Sequence, residues 1–243
     1  MIGGVPYVDP DPHAHVETVL KLACELDRPA DFHVDFSDDP TTLDVGYIAD
    51  RTVETGLVGR VAVGHVTALG ALEPPAAEAV VERIARADLS VLVLPATDLH
   101  LGGRVDRHNV RRGLAPVRKL LAAGVNVAYS SNNVRNAFTP FGNADPLEIG
   151  LLLMVGAHLT DRDDVPLVYQ MATANAARAI GLPGYGLAEG NPANLVLFEA
   201  PDVWEALVGQ AEKRYVVARG RVVAENRCEQ WIQVPDGSGE RSA

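Results

Sequence analysis

Apolar positions along this chain fall into two alternating rhythms. Short β-branched runs at residues 2–8, 31–36, 60–66, 89–94 and 125–131 read as strands. The stretches between them repeat their apolar residues at helical spacing. Pro10-Asp11-Pro12 opens a helix carrying Val16, Val19, Leu20, Leu22 and Ala23, and Thr41 or Thr42 caps one that runs through Leu57. Further helices are predicted at about 73–87 and 112–123, and Pro95 ends the fourth strand. Strand following helix in this way implies βαβ units and a parallel sheet. Beyond residue 131 the texture changes to two helices, at about 145–158 and 166–180, then Gly-rich turns and strands at 194–198 and 215–223. We divide the chain into an α/β unit over 1–182, a small β-unit over 183–234, and a disordered tail over 235–243, rich in Gly, Ser and charge.

Composition narrows the class. With 47% hydrophobic and 22% charged residues and mean hydropathy +0.05, the 243 residues describe a globular chain with a sizeable core. The net charge of -11 opposes attraction to nucleic acid or to an anionic membrane, so a small-molecule partner is expected. Cys24 and Cys228 are too few for a disulfide framework, and no charged-then-apolar leader precedes Gly3, so the expected compartment is the cytoplasm. The longest apolar run, residues 149–157, is about half of a bilayer span and reads as a buried helix.

Candidate chemistry collects at strand ends. His33 with Asp35, His65, Asp98 with His100, and Asn132 with Asn133 each follow an apolar run. A single histidine in such a place is more often a hydrogen-bonded structural residue. Four consecutive strand ends bearing imidazole, carboxylate or amide groups suggest one shared pocket at the mouth of a parallel α/β barrel.

The stretches Ile2-Gly3-Gly4-Val5-Pro6, His33 to Asp39, Gly64-His65-Val66-Thr67-Ala68, His100 to Arg104, and Asn132-Asn133-Val134 through Ala144 resemble, in that order, the cytosine deaminase branch of the amidohydrolase superfamily. Residues 186–196 and the strand Arg219 to Val223 resemble that superfamily's C-terminal segment. The resemblance implies a partial (β/α)8 TIM-type barrel, about its last five βα units, with C-terminal strands of a small β-sandwich. It also implies a divalent metal, zinc or iron, that activates a water against a non-peptide C–N bond of a cyclic amidine or amide such as a pyrimidine. Carried over, His33 matches a metal ligand, His65 a residue that orients the nucleophile, and Asn132 an aspartate that ligates metal and accepts a proton. Asp35 orients His33 or binds substrate. Phe36, His100 and Phe138 fall where substrate is lined or covered, and Arg104 belongs to the same loop as His100.

Three departures qualify the expected activity. The family's His-x-His pair would precede Met1, which leads us to expect the back portion of an enzyme. Phe36 stands where the family has the glutamate that shuttles the proton, and a phenyl ring does no acid/base chemistry. Asn132 brings an amide that carries no charge and accepts no proton at neutral pH. His13 and His15 are no substitute pair: Asp11-Pro12 places them in a first helical turn, where residues two apart diverge by about 200°, and they read as exposed polar residues. Asp38 and Asp39 read as a solvated loop. Two readings follow: a metal-dependent hydrolase that binds metal weakly or not at all in this chain alone, or an inactive remnant or domain needing a complementary half. A homo-oligomer is compatible with either. Both readings expect His33 and His65 to face one cavity, within about 10 Å of each other.

Overall fold

A computed structural model describes residues 1–229, 231 and 232, so the tail expected at 235–243 lies outside the described residues. Five parallel strands form one sheet in sequential order: β1 (Ile2–Gly4), β2 (Ala30–Val34), β3 (Val61–His65), β4 (Ser90–Val93) and β5 (Asn126–Tyr129). The helices α1 (Pro12–Glu25), α2 (Val45–Glu54), α3 (Pro74–Arg86), α4 (Pro95–Leu101) and α5 (Val117–Ala122) connect them. After β5 come α6 (Pro146–Ala157), α7 (Asp164–Ala172) and α8 (Ala174–Ala179). A separate antiparallel sheet follows, with β6 (Leu195–Phe198), α9 (Val203–Val208), β7 (Lys213–Ala218) and β8 (Arg221–Glu225). This is the arrangement of a partial TIM-type barrel with an appended three-stranded sheet.

Alternation along each strand sorts side chains to two faces. Ala30, Phe32, Val34, Val61, Val63, Val91, Val93, Val127 and Tyr129 pack with Val16 and Leu20 of α1, Ile48 of α2 and Ile84 of α3 in one buried cluster. The residues between them make rows across the opposite face. Gly3, Asp31, Ala62, Ser90 and Asn126 are in register, as are His33, Gly64, Leu92 and Ala128. Small side chains leave room there for the longer Asp31, His33 and Leu92. The C-terminal segment shares the helical core, since Leu207 of α9 is fully buried in the same cluster.

Several boundaries differ from the predicted ones for local reasons. The first strand stops at Gly4, because Pro6 lacks an N–H and residues Pro6–Val8 form a 3₁₀ turn. The second stops at Val34, since Asp35 takes φ 53°. Thr41 and Thr42 lie in their own 3₁₀ turn, Pro40–Thr42, and α2 starts only at Val45. Pro95 does more than end β4: it is the first residue of α4. The helix predicted at 166–180 is broken at Thr173 (φ -122°, ψ -96°). The strand predicted at 215–223 turns at Arg219 and Gly220, both at positive φ, into β7 and β8.

Among the described residues, no helix is long and apolar enough to cross a membrane. The buried-helix reading of 149–157 agrees with α6, where Ile149, Leu153 and Met154 are buried.

The loop after α4 folds back so that Gly102 and Gly113 meet. A Cβ on Gly102 would stand 2.8 Å from Gly113 Cα and 2.9 Å from the Asp98 carbonyl oxygen, both backbone atoms that cannot swing aside. Gly102 has φ -69°, so a side chain meets no conformational penalty. Gly102→Ala is therefore expected to destabilise by steric overlap alone, by about 1–3 kcal/mol. The check is the urea midpoint against Gly181→Ala, which has open space around it and only the positive-φ penalty.

Candidate active site at the strand ends

In-register parallel pairing brings the C-terminal ends of β2, β3 and β4 to one edge of the sheet, and a connected set of polar groups lies there. His33 Nδ1 is 3.0 Å from His65 Nε2, with ring centroids 5.0 Å apart, well inside the expected separation. His65 Nδ1 is 2.7 Å from Asp98 Oδ1, and the Leu94 N–H donates to Asp98 Oδ2 at 3.2 Å. Exposure falls along this chain. His33 is half-buried, whereas the side chains of His65 and Asp98 are 3% and 0% exposed.

His65 reaches this position through an unusual backbone. Its Cα partner in the sheet is Val34, which faces the helices, so regular alternation would send the imidazole to that face. Instead His65 and Val66 take φ 71° and 54°. Left-handed backbone at a β-branched residue is strained and persists only where the surroundings impose it. Val66 is fully buried and donates its N–H to the Val34 carbonyl, while Thr67 Oγ1 donates to the Asp35 carbonyl. The turn swings the imidazole across to His33.

Asp98 sits in the first turn of α4 because Pro95 starts that helix at the strand end, a Pro-then-acid pattern legible in the sequence. Burial pushes its carboxyl up, opposed by the hydrogen bonds from His65 and Leu94. The His33 imidazole is held below its usual value, first by burial and next by the neighbouring His65.

Phe36 covers this group. Its ring lies 4.7 Å from the His65 ring and 6.2 Å, edge-on, from Tyr7. Tyr7, just past β1, was not singled out from the sequence. Burial, and then the charge of Asp98, raise its phenol.

The other residues expected in the site separate. Asp35 is buried, with its carboxylate accepting from the N–H groups of Asp44 (2.7 Å) and Val45 (3.0 Å) at the start of α2. It anchors a helix and makes no hydrogen bond to His33, whose ring is oriented by His65 and Asp98. Asn132, three residues past β5 at φ 57°, is half-buried, and its side chain has no hydrogen-bond partner among the described residues. Asn133 accepts from Asn136 Nδ2 at 2.6 Å within the following loop. His100 is 2.8 Å from an Arg104 guanidinium nitrogen and edge-on to Phe141, outside the His33 chain. Phe138 is 61% exposed and touches none of these rings. The aromatic on His65 is Phe36 instead.

His13 and His15 are not idle surface groups. His13 stacks on Tyr47 at 3.8 Å and pairs with Asp44, while His15 accepts the Val5 N–H and pairs with Asp9, pinning the end of β1 to α1. Asp38 accepts the Gly103 N–H through both oxygens, and Arg111 binds the Asp38 carbonyl, so the loops after β2 and α4 are clasped together. Asp39 caps the 3₁₀ turn at Thr41.

Known proteins are similar to this chain in sequence and fold. Residues 3–224 match the Amidohydrolase family. The pterin deaminase of Rhizobium rhizogenes is 32% identical over 230 residues, covering 92% of this chain and 51% of that protein. The N-isopropylammelide isopropyl amidohydrolase of Pseudomonas sp. is 27% identical over 212 residues, covering 87% of this chain and 49% of that protein. The crystal structure of 5-methylcytosine deaminase from Klebsiella pneumoniae with 5-fluorocytosine superposes with TM-score 0.91 at 29% identity, over 96% of this chain and 57% of that one. The chain spans about half the length of the curated relatives it matches.

Burial raises the Asp35 carboxyl to about 7, against the pull of its two N–H donors. An unfolded carboxyl titrates near 3.9, so between about pH 4 and pH 7 the native state binds the extra proton. Stability from this group is complete in acid and is lost as pH rises through that window, by about 1.4 kcal/mol per pKa unit. Asp35→Asn is expected to remove that slope. The difference between the unfolding midpoints of the two proteins should therefore change across about pH 4 to 7, the wild type losing stability relative to the variant as pH rises, and parallel pH profiles would refute it.

Proposed function

We propose that this chain, which belongs to the amidohydrolase family, carries the proton-handling side of a site that hydrolyses exocyclic C–N bonds on planar nitrogen heterocycles. We further propose that its 243 residues alone turn over such substrates poorly. The observation that carries the first part is the hydrogen-bonded chain from Asp98 through His65 to His33, at the strand ends where barrel enzymes place their reactive groups. Pterin, 5-methylcytosine and N-isopropylammelide, named in the relatives, are flat rings bearing an exocyclic nitrogen. Phe36 and Tyr7 offer such a ring an aromatic wall beside the imidazoles. Asn132 supplies an unpaired amide that both donates and accepts toward a ring edge. The few cysteines favour a cytoplasmic setting.

The second part rests on the donor set. The family implies a divalent metal that generates the attacking hydroxide, and a catalytic zinc normally takes three protein ligands. Among the described residues no group of three His, Cys, Asp or Glu side chains could hold one. His33 supplies one imidazole, His65 is engaged on both ring nitrogens, Asn132 is uncharged and Phe36 has no donor at all. These residues do not make a complete metal centre. Their own contribution is to hold the reacting ring, keep water from the buried side of His65, and move a proton at His33.

Ammonia release from cytosine or pterin by the purified chain is expected to be negligible, with zinc well below one equivalent after dialysis. Phe36→Glu combined with Asn132→Asp should leave this unchanged, because neither substitution adds a histidine ligand. Co-expression with the portion of the Rhizobium pterin deaminase that this chain does not span should raise turnover more than both. Turnover by the unmodified chain, abolished by a chelator and restored by zinc, would overturn the second part; no turnover from any complemented assembly would overturn the first.

A further inference from the structure

We propose that Asp98 is a positioning residue that sets the tautomer of both histidines, so that His33 meets the mouth with a bare Nε2. With Asp98 ionised, as its hydrogen bonds from His65 and Leu94 favour, and with both imidazoles neutral, donors and acceptors along the chain admit one consistent assignment. The Leu94 N–H donates to Asp98 Oδ2, and an ionised carboxylate only accepts. Asp98 Oδ1 therefore accepts a proton-bearing Nδ1 from His65 at 2.7 Å. A neutral imidazole with Nδ1–H has a bare Nε2, so His65 Nε2 accepts, and His33 Nδ1, 3.0 Å away, donates. That leaves the lone pair of His33 on Nε2, which has no partner among the described residues. It lies on the half-exposed member of the chain, at the open end.

The same count says what happens when one carboxylate oxygen becomes an amide nitrogen. In Asp98→Asn the Leu94 N–H takes the one remaining oxygen, and the amide NH₂ then faces His65 Nδ1. That nitrogen must accept, so its proton sits on Nε2 and is donated to His33 Nδ1. The His33 proton is left on Nε2. Protons are conserved along the chain, but the two hydrogen bonds made by the imidazoles reverse while Leu94 goes on donating, and the mouth meets a donor in place of an acceptor. In a Ser-His-Asp triad the corresponding substitution costs about 10⁴-fold in turnover through the wrong tautomer.

This deepens the reading above, since it names what the site's imidazole presents, yet it is read without turnover, so an inactive chain does not refute it. The experiment is ¹⁵N-histidine NMR of the full chain at a pH where the imidazoles are neutral, with His33→Gln and His65→Gln assigning the signals. Wild-type protein is expected to show protonated Nδ1 and bare Nε2 at both residues, and Asp98→Asn to exchange the two signals at both. A wild-type His65 or His33 protonated on Nε2 overturns the proposal even where Asp98→Asn fails to fold. An Asp98→Asn protein that folds and keeps the wild-type His33 signals also overturns it, because loss of a merely structural carboxylate would leave the tautomer alone.

Discussion

The in-register parallel pairing of β2, β3 and β4 is the constraint on which the rest of this structure depends. It sets His33 beside Gly64 and Val34 beside His65, so the two imidazoles start one residue out of step and on opposite faces. Everything unusual at the strand ends compensates for that offset. The left-handed backbone at His65 and Val66 turns one ring across the sheet, and Gly64 leaves the space beside His33 open. The fully buried Asp98 carboxylate then fixes the turned ring from behind. A strained pair of residues inside an otherwise regular sheet marks where the fold serves geometry beyond packing.

Around that group the chain trades acid/base capacity for aromatic surface. Phe36 lies on His65, and Tyr7 lies against Phe36. Carboxylates remain nearby but are already committed. Asp35 holds the start of α2, Asp38 clasps the loop after α4, and Asp98 is bonded to His65 Nδ1 and to the Leu94 N–H. The mouth is thus lined by imidazole and ring faces, surroundings suited to a flat, polar-edged molecule.

Much of this was legible in the residues. The alternation of β-branched runs with helical spacing gave five parallel strands in sequential order, because side-chain periodicity is a local property that folding does not rewrite. His33 and His65 could be paired in advance, since each ends a strand at similar depth. Boundaries were less legible where a single residue overrides periodicity: Pro6 and Pro95 each start a helical turn immediately, and Thr173 breaks a continuous helical pattern without any Gly or Pro to announce it.

What the sequence determined by itself is therefore the order of elements, the parallel sheet and the presence of polar groups at strand ends, all of which follow from spacing along one chain. What only the tertiary structure decided is which of those groups meet. Asp35 and Asp98 are alike as isolated strand-end acids, yet one meets the N–H groups of α2, nine and ten residues on, while the other meets an imidazole 33 residues back. His13 and His15 look like surface residues until Tyr47, Asp44 and Asp9 are folded against them. Partner choice among buried polar groups depends on close approach between segments distant in sequence, and no local pattern encodes a distance of 3 Å across a sheet.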